Sequence, residues 1–466
     1  MNYSVEKTLI LYIPWALSVL FKAEPEYSYI IAWLGSFFIM YMTISGNIRP
    51  LPTDRSIAEQ LMRPIFIVQI IFAGYMCLTS IFYFFSVLGY DNFNKPDTYH
   101  LVDTYQLNLT AQCQRYYCLG HAALATGILF FMKYPVKRKY YFDQDKLTEI
   151  LIMFALISFP LSEVFLRVPG FSQFYFEFNP LSFITGTLAL AFAIPQKNVR
   201  NTMICITLYF FNFYQALNSG FKEPIIISVL VLGIFLYPNY KKIVLTIFVP
   251  LLFLLFLLLP TFNSIFRQNA WSGDINADDA TELALKTTLN DNSGISKTNW
   301  EFLTSRLSEI SMFTKYIEST PKNVPYYHTQ LLKQSAEAII PRVFWPSKPN
   351  TEDLIMERVY DAGVIYRGEE VSAKPPFIVD AYLSYGPVGI FIFLFIYGAF
   401  AQSISCKAEE LFGGYILGTA VIFSGLFQLM WRGLSFEFII NTVFWSYITM
   451  FIIFKIMRSK NILNEI

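Results

Sequence analysis

Long apolar runs without charged residues recur along the chain of 466 residues. A membrane-spanning helix needs about 20 mostly apolar residues. Most of the runs meet this length. Two weaker runs are counted with them: the first is short, and the second is interrupted by Glu163 and Arg167. The predicted spans are 8–21, 27–48, 64–89, 116–132, 150–168, 178–196, 201–221, 224–240, 243–266, 381–405, 411–431 and 438–454. We therefore expect an all-α polytopic membrane protein with 12 spans, give or take one.

One connection between predicted spans is far longer than the others and carries its own helical pattern. It covers residues 261–380 and separates nine spans in 1–260 from three spans in 381–466. A capping-box pattern from Thr298 to Glu301 precedes apolar residues at helical spacing over 303–317. Further amphipathic helices are predicted over 328–340 and 352–361, and the prolines of 341–349 exclude a helix there. Long connections of this kind usually carry function.

Composition excludes a soluble protein. Hydrophobic residues make up 55% of the chain and charged residues only 15%, against roughly 25% in soluble domains. Composition also argues against nucleic acid as a partner, for which a basic stripe would be expected. Five cysteines without paired spacing and three scattered histidines indicate neither a disulfide scaffold nor a metal cluster. We expect no metal and no cofactor.

Lysine and arginine are distributed unevenly between the predicted loops, which orients the chain. With both termini in the cytoplasm, basic residues in the cytoplasmic loops outnumber those in the short opposite loops roughly three to one. The long connection then lies on the outer face.

Charged residues at the outer ends of spans are costly to insert and are candidate functional residues. Three outer junctions offer cations at a similar depth: Lys222, Arg432 and the turn that carries Arg342 and Lys348. Arginine and lysine at this depth suit the oxygens of a lipid-linked pyrophosphate. The outer set also includes Glu163, Arg167, Glu223, Asp380, Glu437, Arg267, Arg306, Arg358, Arg367 and Lys374.

Each candidate also has a plain structural explanation. Lys222 and Arg432 could be interfacial residues whose charges reach back to water. Arg306 could lie on a solvated helix face. Arg342 and Lys348 bracket two aromatic residues, as in an interfacial aromatic belt, and His328 could be an ordinary surface histidine.

Several short segments resemble one enzyme family. Segment 340–349, Ile-Pro-Arg-Val-Phe-Trp-Pro-Ser-Lys-Pro, resembles the Trp-Pro-x-basic-Pro element of Wzy-type polymerases, including the enterobacterial common antigen branch. Segments 376–389, 219–227, 304–306 and 430–433 are similar to other loop and turn elements of that family. Lys222 and Lys348 stand where arginine is usual. The resemblance covers residues 219 to the C-terminus, and the first half matches by topology alone.

The resemblance implies a membrane glycosyltransferase with a GT-C-like fold in the bacterial inner membrane. It would polymerise undecaprenyl-pyrophosphate-linked repeat units into surface polysaccharide of the O-antigen or capsule type, with membrane lipids and a chain-length regulator as further partners. The cations Lys222, Arg306, Arg342, Lys348 and Arg432 would hold pyrophosphate. The base that activates the acceptor hydroxyl is sought among Asp380, Glu437, Glu309 and His328.

Three other functions compete with this reading. An O-antigen ligase would use the same donor with a lipid A core acceptor. A transporter or flippase for the lipid-linked glycan would also have many spans, but the connection 197–200 is short and no internal repeat is visible. A structural membrane protein is the third alternative.

Overall fold

The computed structural model describes residues 5–96, 99–270, 275–290, 292–368 and 373–466, except for the side chains of Lys222 and 292–296. In these residues the chain is predominantly helical. The α-helices are α1 (Ile13–Leu20), α2 (Pro25–Ile44), α3 (Ile67–Ile71), α4 (Ser80–Val87), α5 (Thr104–Phe131), α6 (Leu147–Arg167), α7 (Tyr175–Gln196), α8 (Val199–Asn218), α9 (Lys222–Ile243), α10 (Val249–Ala270), α11 (Ala277–Asn290), α12 (Asn292–Glu301), α13 (Ile310–Ser319), α14 (Gln330–Ile339), α15 (Thr351–Asp361), α16 (Phe377–Leu411), α17 (Ser424–Leu426), α18 (Gln428–Arg432) and α19 (Phe436–Ser459).

Shorter elements join these helices. Four π-helices and four 3-10 helices interrupt or precede the α-helices, and two short antiparallel strands, β1 and β2, pair the C-terminus with the connection before α6. The π-helices are Phe72–Leu78, Val244–Phe248, Phe302–Leu307 and Ile416–Phe423, the 3-10 helices Val5–Tyr12, Ile57–Gln60, Gln144–Lys146 and Ser172–Phe174, and the strands Tyr140–Tyr141 and Asn464–Glu465.

Seven helical segments among the described residues are long and apolar enough to cross a membrane. They are Pro25–Ile44, Ile67–Val87, Gln144–Arg167, Ser172–Gln196, Glu223–Ala270, Phe377–Leu411 and Phe436–Ser459. The expected all-α membrane class is therefore confirmed, whereas a count of twelve is not. The predicted spans 8–21, 116–132, 201–221 and 411–431 are also helical, but they lie in helices that are too short, too polar or too interrupted to meet the same criteria.

The longest of the seven segments, Glu223–Ala270, folds as a hairpin of two helices. The backbone leaves the helical region at Tyr240 (φ −131°, ψ 43°), close to the end of α9. A side chain at Gly220 would begin 2.8 Å from the Phe266 ring, and one at Gly233 would begin 3.5 Å from Phe248. Because positions before the break face positions well after it, the arms are antiparallel. The predicted spans 224–240 and 243–266 correspond to these two arms.

Helix α16 is also broken, close to its start. Tyr385 and Gly386 leave the helical region, and Gly386 has a φ of 60°, which favours glycine. The rings of Phe377 and Tyr397 are 4.6 Å apart, so the first two turns fold back along the longer arm. The predicted boundary between the long connection and the next span, at residues 380 and 381, lies inside this short arm.

Helices α5 and α16 form the centre of the core, where two glycines allow their backbones to touch. A Cβ atom at Gly127 would lie 2.1 Å from the carbonyl oxygen of Phe395, and one at Gly398 would lie 2.2 Å from that of Leu124. No larger residue fits these contacts. One face of the long arm of α16 is thus buried against α5, while its other face is exposed.

The long connection is attached to the bundle by a buried arginine. The Arg358 side chain of α15 donates two hydrogen bonds of 2.8 Å to the Glu437 carboxylate and one of 3.1 Å to Asp380. Asp380 also accepts the backbone N–H of Phe436 at 2.9 Å. Arg358 is 2% exposed, Glu437 1% and Asp380 0%. We call these three residues the loop-end clamp, and the end of the bundle where α13–α15 lie the loop end.

A second buried arginine holds the opposite end of α16. Arg63 contacts both carboxylate oxygens of Glu409 at 3.0 Å and donates to both oxygens of Asp54 at 2.7 Å. These hydrogen bonds lower the pKa of Asp54. Arg63, Asp54 and Glu409 form the opposite-end clamp, so α16 carries a buried acid paired with arginine near each end.

Helices within the long connection are partly as predicted. Helices α14 and α15 confirm the segments predicted at 328–340 and 352–361, and the Asn350 side chain caps α15 by accepting the N–H of Glu352. The single helix predicted over 303–317 is wrong. It is divided at Glu309, which has a φ of 53°, into the π-helix Phe302–Leu307 and α13. Helical periodicity continues across this break, which is why the pattern did not reveal it.

Glu177 is a buried carboxyl that links three parts of the bundle. It is 1% exposed and contacts the Ser446 hydroxyl of α19, which also lies 2.6 Å from the carbonyl oxygen of Leu426. A hydroxyl has one proton and two acceptor positions. If it donates to Leu426, the Glu177 carboxyl must itself carry a proton to donate to Ser446.

Replacing Arg358 with alanine should destabilise the fold strongly. Two buried carboxylates would lose their counter-charge, a change that typically costs about 3–5 kcal/mol. Arg367→Ala is the matched control, because Arg367 pairs with Glu357 on the surface and both side chains are more than half exposed. The midpoint of thermal unfolding of the purified protein should be much lower for Arg358→Ala and almost unchanged for the control. Equal midpoints would contradict a stabilising clamp.

Glu177→Gln should be tolerated and Glu177→Ala should not. An amide can donate to the Ser446 hydroxyl as a protonated carboxyl does, whereas alanine removes the link and leaves a void. Thermal midpoints of the two variants in detergent measure the difference. A glutamine variant as unstable as the alanine variant would show that Glu177 is ionised.

Candidate functional site

Two π-helices meet at the loop end. Tyr75 lies in the π-helix Phe72–Leu78, and its hydroxyl donates to the carbonyl oxygen of Arg306 at 3.3 Å. Arg306 belongs to the π-helix Phe302–Leu307 of the long connection. π-helices are rare and occur often at functional sites. This contact therefore marks a candidate site.

Four charged side chains lie within electrostatic range of Tyr75. Glu309, Glu223, Arg432 and Arg306 are all near enough to act electrostatically on its hydroxyl. Glu223 is the second residue of α9 and forms an ion pair with Arg432, the last residue of α18. We call these five residues the Tyr75 cluster. It draws side chains from four separate parts of the chain.

Arg306 is the cation of this cluster that is open to a ligand. Its side chain is exposed, and its guanidinium makes no hydrogen bond or ion pair with any residue that the structure describes. Its charge also acts on Arg267 near the end of α10, which donates to the carbonyl oxygen of Gly220 at 3.0 Å. Two neighbouring guanidinium groups favour a multivalent anion such as a phosphate ester.

Glu309 is the carboxyl of the cluster that could accept a proton. Within the described chain it has no cationic partner and no hydrogen bond to its carboxylate. Burial raises the pKa of Glu309 to about 7, although the positive charge of Arg306 opposes the rise. Its φ of 53° is a strained conformation for a residue other than glycine, and such strain tends to occur at functional sites. A carboxyl with this pKa suits general base catalysis near neutral pH.

A small cavity of about 20 Å³ lies beside the cluster. Its wall is almost entirely apolar, with Tyr75 and Arg432 as polar contributors. A cavity of this size has room for about one water molecule. The wall is formed by Val68, Ile71, Phe72, Tyr75, Met76, Pro376, Phe377, Ile378, Leu394, Tyr397, Met430, Trp431, Arg432 and Gly433. Trp431 is 3% exposed, and its indole N–H has no hydrogen-bond partner among the described residues.

The other three proposed bases lie outside the Tyr75 cluster. Asp380 and Glu437 belong to the loop-end clamp, where Arg358 occupies both carboxylates. His328 is exposed, and its backbone N–H donates to Ser384 at the break in α16, at 3.1 Å. Its ring lies 5.2 Å from that of Tyr385. Of the four candidates, Glu309 has the surroundings of a base.

The predicted pyrophosphate ligands are divided between two places. Arg306 and Arg432 lie together in the cluster. Arg342 instead donates to the carbonyl oxygens of Lys348 and Pro349 at 2.8 and 3.2 Å, and the Lys348 ammonium donates to those of Ala338 and Ile340 at 3.1 and 2.7 Å. These contacts hold the proline-rich turn and the end of α14 in shape, which is a structural use of both cations.

Lys222 is placed only by its backbone. It is the first residue of α9, directly before Glu223 of the cluster, and its side chain lies outside the described residues.

Two residues of the site escaped the sequence analysis. Tyr75 and Trp431 lie in apolar runs, where nothing in the sequence distinguishes them from other aromatic residues. Glu223 and Arg358 appear among the outer charges, but the pattern did not reveal that each is paired. Within the described residues no group of three or more His, Cys, Asp or Glu could hold a metal ion.

The fold and the site define a class of protein: a polytopic, all-α membrane protein with a structured loop packed over a charged cluster and an apolar cavity. The chain belongs to the family described as a domain of unknown function, DUF8712, whose model matches residues 13–465. The comparison with curated proteins gives no match, and neither does the comparison with solved structures.

Glu309→Gln should stabilise the protein at high pH and leave it unchanged at low pH. A carboxyl whose pKa rises from 4.5 to about 7 on folding makes the folded state less stable as pH increases between these values. Each pKa unit corresponds to about 1.4 kcal/mol, so the gain is a few kcal/mol at most. Thermal unfolding at pH 5 and pH 8 measures it. A difference that does not grow with pH would contradict the raised pKa.

Proposed function

We propose that this protein is a membrane glycosyltransferase that polymerises lipid-linked oligosaccharide repeat units. The observation that carries the proposal is the Tyr75 cluster: an open arginine and an unpaired carboxyl of near-neutral pKa stand beside an apolar cavity. The arginine suits the pyrophosphate of a polyprenyl-linked glycan donor, and the carboxyl suits the proton of an acceptor hydroxyl. The resemblance of segment 340–349 to Wzy-type polymerases points to the same reaction.

The chemistry would proceed by displacement at the donor sugar. An acceptor hydroxyl attacks C1 of the donor sugar while its proton passes to the Glu309 carboxylate. The bond between C1 and the phosphate oxygen breaks, and the lipid pyrophosphate leaves with the electron pair. Arg306, with Arg432 and Lys222, would stabilise the negative charge that grows on the leaving group. No nucleotide and no metal enter this scheme.

The proposed function requires a particular placement in the membrane. We infer twelve spans, both termini in the cytoplasm, a GT-C-like arrangement and a bacterial inner membrane. The loop end, with the Tyr75 cluster, would then face outward, where lipid-linked repeat units are joined. The excess of lysine and arginine at the opposite end supports this orientation.

A Glu309→Gln variant should abolish long polysaccharide chains. A glutamine cannot accept the hydroxyl proton, so transfer should decrease roughly 10²–10⁴-fold, the usual contribution of a general base. Glu318→Gln on the neighbouring helix is the matched control, since Glu318 is an exposed partner of Lys315. Complementing a deletion strain with each variant and separating its surface polysaccharide by gel gives the result.

The gel pattern also separates the alternatives. A single repeat unit retained on the lipid A core, with long chains lost, is expected for a polymerase. Complete loss of capped lipid A core would point to a ligase, and accumulation of lipid-linked units in the cytoplasmic leaflet to a flippase. Normal chain length in Glu309→Gln would contradict Glu309 as the base.

A further inference from the structure

The proline-rich turn 341–349, which joins α14 to α15, has no part in the proposed reaction. Two of its apolar side chains are exposed: Phe344 is 77% exposed, and Val343 beside it is 43% exposed. Ile340, the residue just before the turn, is 39% exposed. We call these three side chains the turn patch. A group of exposed apolar side chains often marks a surface that contacts another molecule or a membrane.

Hydrogen bonds hold the turn in one shape, so the turn patch does not fold inward. The Arg342 guanidinium donates to the carbonyl oxygen of Lys348, across the turn, at 2.8 Å. The Lys348 ammonium donates to the carbonyl oxygen of Ala338, in α14, at 3.1 Å. The backbone N–H of Phe344 donates to the carbonyl oxygen of Pro341 at 2.9 Å. The fold therefore presents the turn patch on a fixed scaffold.

The turn lies against the connection between two helices that can span a membrane. A Cβ atom at Gly170 would be 2.9 Å from the backbone nitrogen of Val343. Gly170 belongs to the short connection from α6 to α7, and both helices lie in segments that are long and apolar enough to span. The indole N–H of Trp445, in the spanning helix α19, donates to the carbonyl oxygen of Ile339 at 2.8 Å. The Trp445 ring is 4.9 Å from that of Phe174, just before α7. The turn thus lies at the height where α6 ends and α7 begins, which is the membrane surface at the loop end.

The exposed apolar surface of α6 reaches this contact. Val164, Leu166 and Val168, at and just after the end of α6, are 53%, 52% and 40% exposed. In a membrane such side chains face lipid chains, because the helix is long enough to span. Arg167 is also exposed, and a cation at the end of a span reaches the head-group region. The turn patch therefore continues a surface that lipid covers.

We propose that the turn 341–349 enters the head-group region of the bilayer at the loop end, where the turn patch contacts the lipid acyl chains. The partner of this surface is the phospholipid membrane. Aromatic side chains favour this region, and the half-buried Trp345 lies next to Phe344. Arg342 is partly exposed and adds a positive charge that suits lipid phosphate groups. This inference does not depend on the proposed function.

The lipid contact fixes the long connection at a second place. Helix α15 begins at Thr351, close after the turn, and carries Arg358 of the loop-end clamp. The clamp joins this part of the chain to the helix bundle, and the turn joins it to the membrane. The contact also explains the chemistry of the segment 340–349: the prolines exclude a helix, and Lys348 holds the turn that carries the turn patch.

Spin labelling tests whether the turn patch contacts lipid. Cys406 is replaced by serine and the other four cysteines are buried, so Phe344→Cys provides the position that takes a nitroxide label. The full chain is placed in phospholipid nanodiscs. Relaxation of the label by oxygen, which concentrates among acyl chains, is compared with relaxation by a water-soluble nickel chelate.

Two further labelled positions calibrate the measurement. Leu156→Cys, in the middle of α6, gives the value for lipid, since Leu156 is 52% exposed. Asn323→Cys gives the value for water. Asn323 is exposed in the turn after α13, where the Tyr382 hydroxyl near the tip of the short arm of α16 donates to the carbonyl oxygen of Thr320 at 2.8 Å. The ratio of oxygen to nickel relaxation should be several-fold higher at Phe344→Cys and Leu156→Cys than at Asn323→Cys. All three side chains are exposed, so the labels should not disturb the fold.

Every result of this measurement bears on the lipid contact. A ratio at Phe344→Cys that resembles the ratio at Leu156→Cys supports it. A ratio equal to that at Asn323→Cys would show that the turn patch faces water. A label shielded from both reagents would show that protein, such as a second copy of the chain, covers the patch. Either of these two results would overturn the proposal. The measurement involves no glycan transfer, so the transferase proposal is decided separately by Glu309→Gln.

Discussion

Two buried arginine clamps determine how this molecule is assembled. A buried charge that loses its partner costs several kcal/mol, so each clamp holds its helices together firmly once formed. Arg63 ties α16 to the segment before α3, and Arg358 ties the short arm of α16 and the start of α19 to the long connection. The long connection is consequently part of the folded core, because one of its helices supplies the arginine that the two acids require.

The loop-end clamp also positions the candidate site. Phe377 lies one turn before Asp380, and its backbone N–H donates to the carbonyl oxygen of Gly433 at 2.9 Å. Gly433 is the residue that follows Arg432 in the chain. The ion pair from Arg432 to Glu223 then extends the connection to α9. Glu309 forms no ion pair within the described chain, whereas Asp380 and Glu437 share the buried Arg358. Asp380 and Glu437 thus stabilise the fold, and Glu309 is the carboxylate that is left for chemistry.

Sequence patterns could predict the class of fold and several helices, since a lack of charge over about 20 residues and periodic apolar positions are local signals. Helices α14 and α15 are examples. The partners of charged residues depend on contacts between distant parts of the chain, and for this reason Asp380 and Glu437 were indistinguishable from Glu309. The helix break at Glu309 and the hydrogen bond from Lys348 to a backbone carbonyl were also missed. Both depend on tertiary packing, which a short sequence pattern does not reveal.

The central claim is that Glu309 accepts the proton under the influence of Arg306. Its most direct test is the pH dependence of single-turnover glycan transfer by purified protein, compared between the native chain and Arg306→Ala. In the native chain the rate should increase with pH and level off above an inflection near pH 7. In Arg306→Ala the inflection should move to higher pH, because Arg306 lowers the pKa of Glu309. An inflection that stays in place, or a rate that does not depend on pH, would contradict the account.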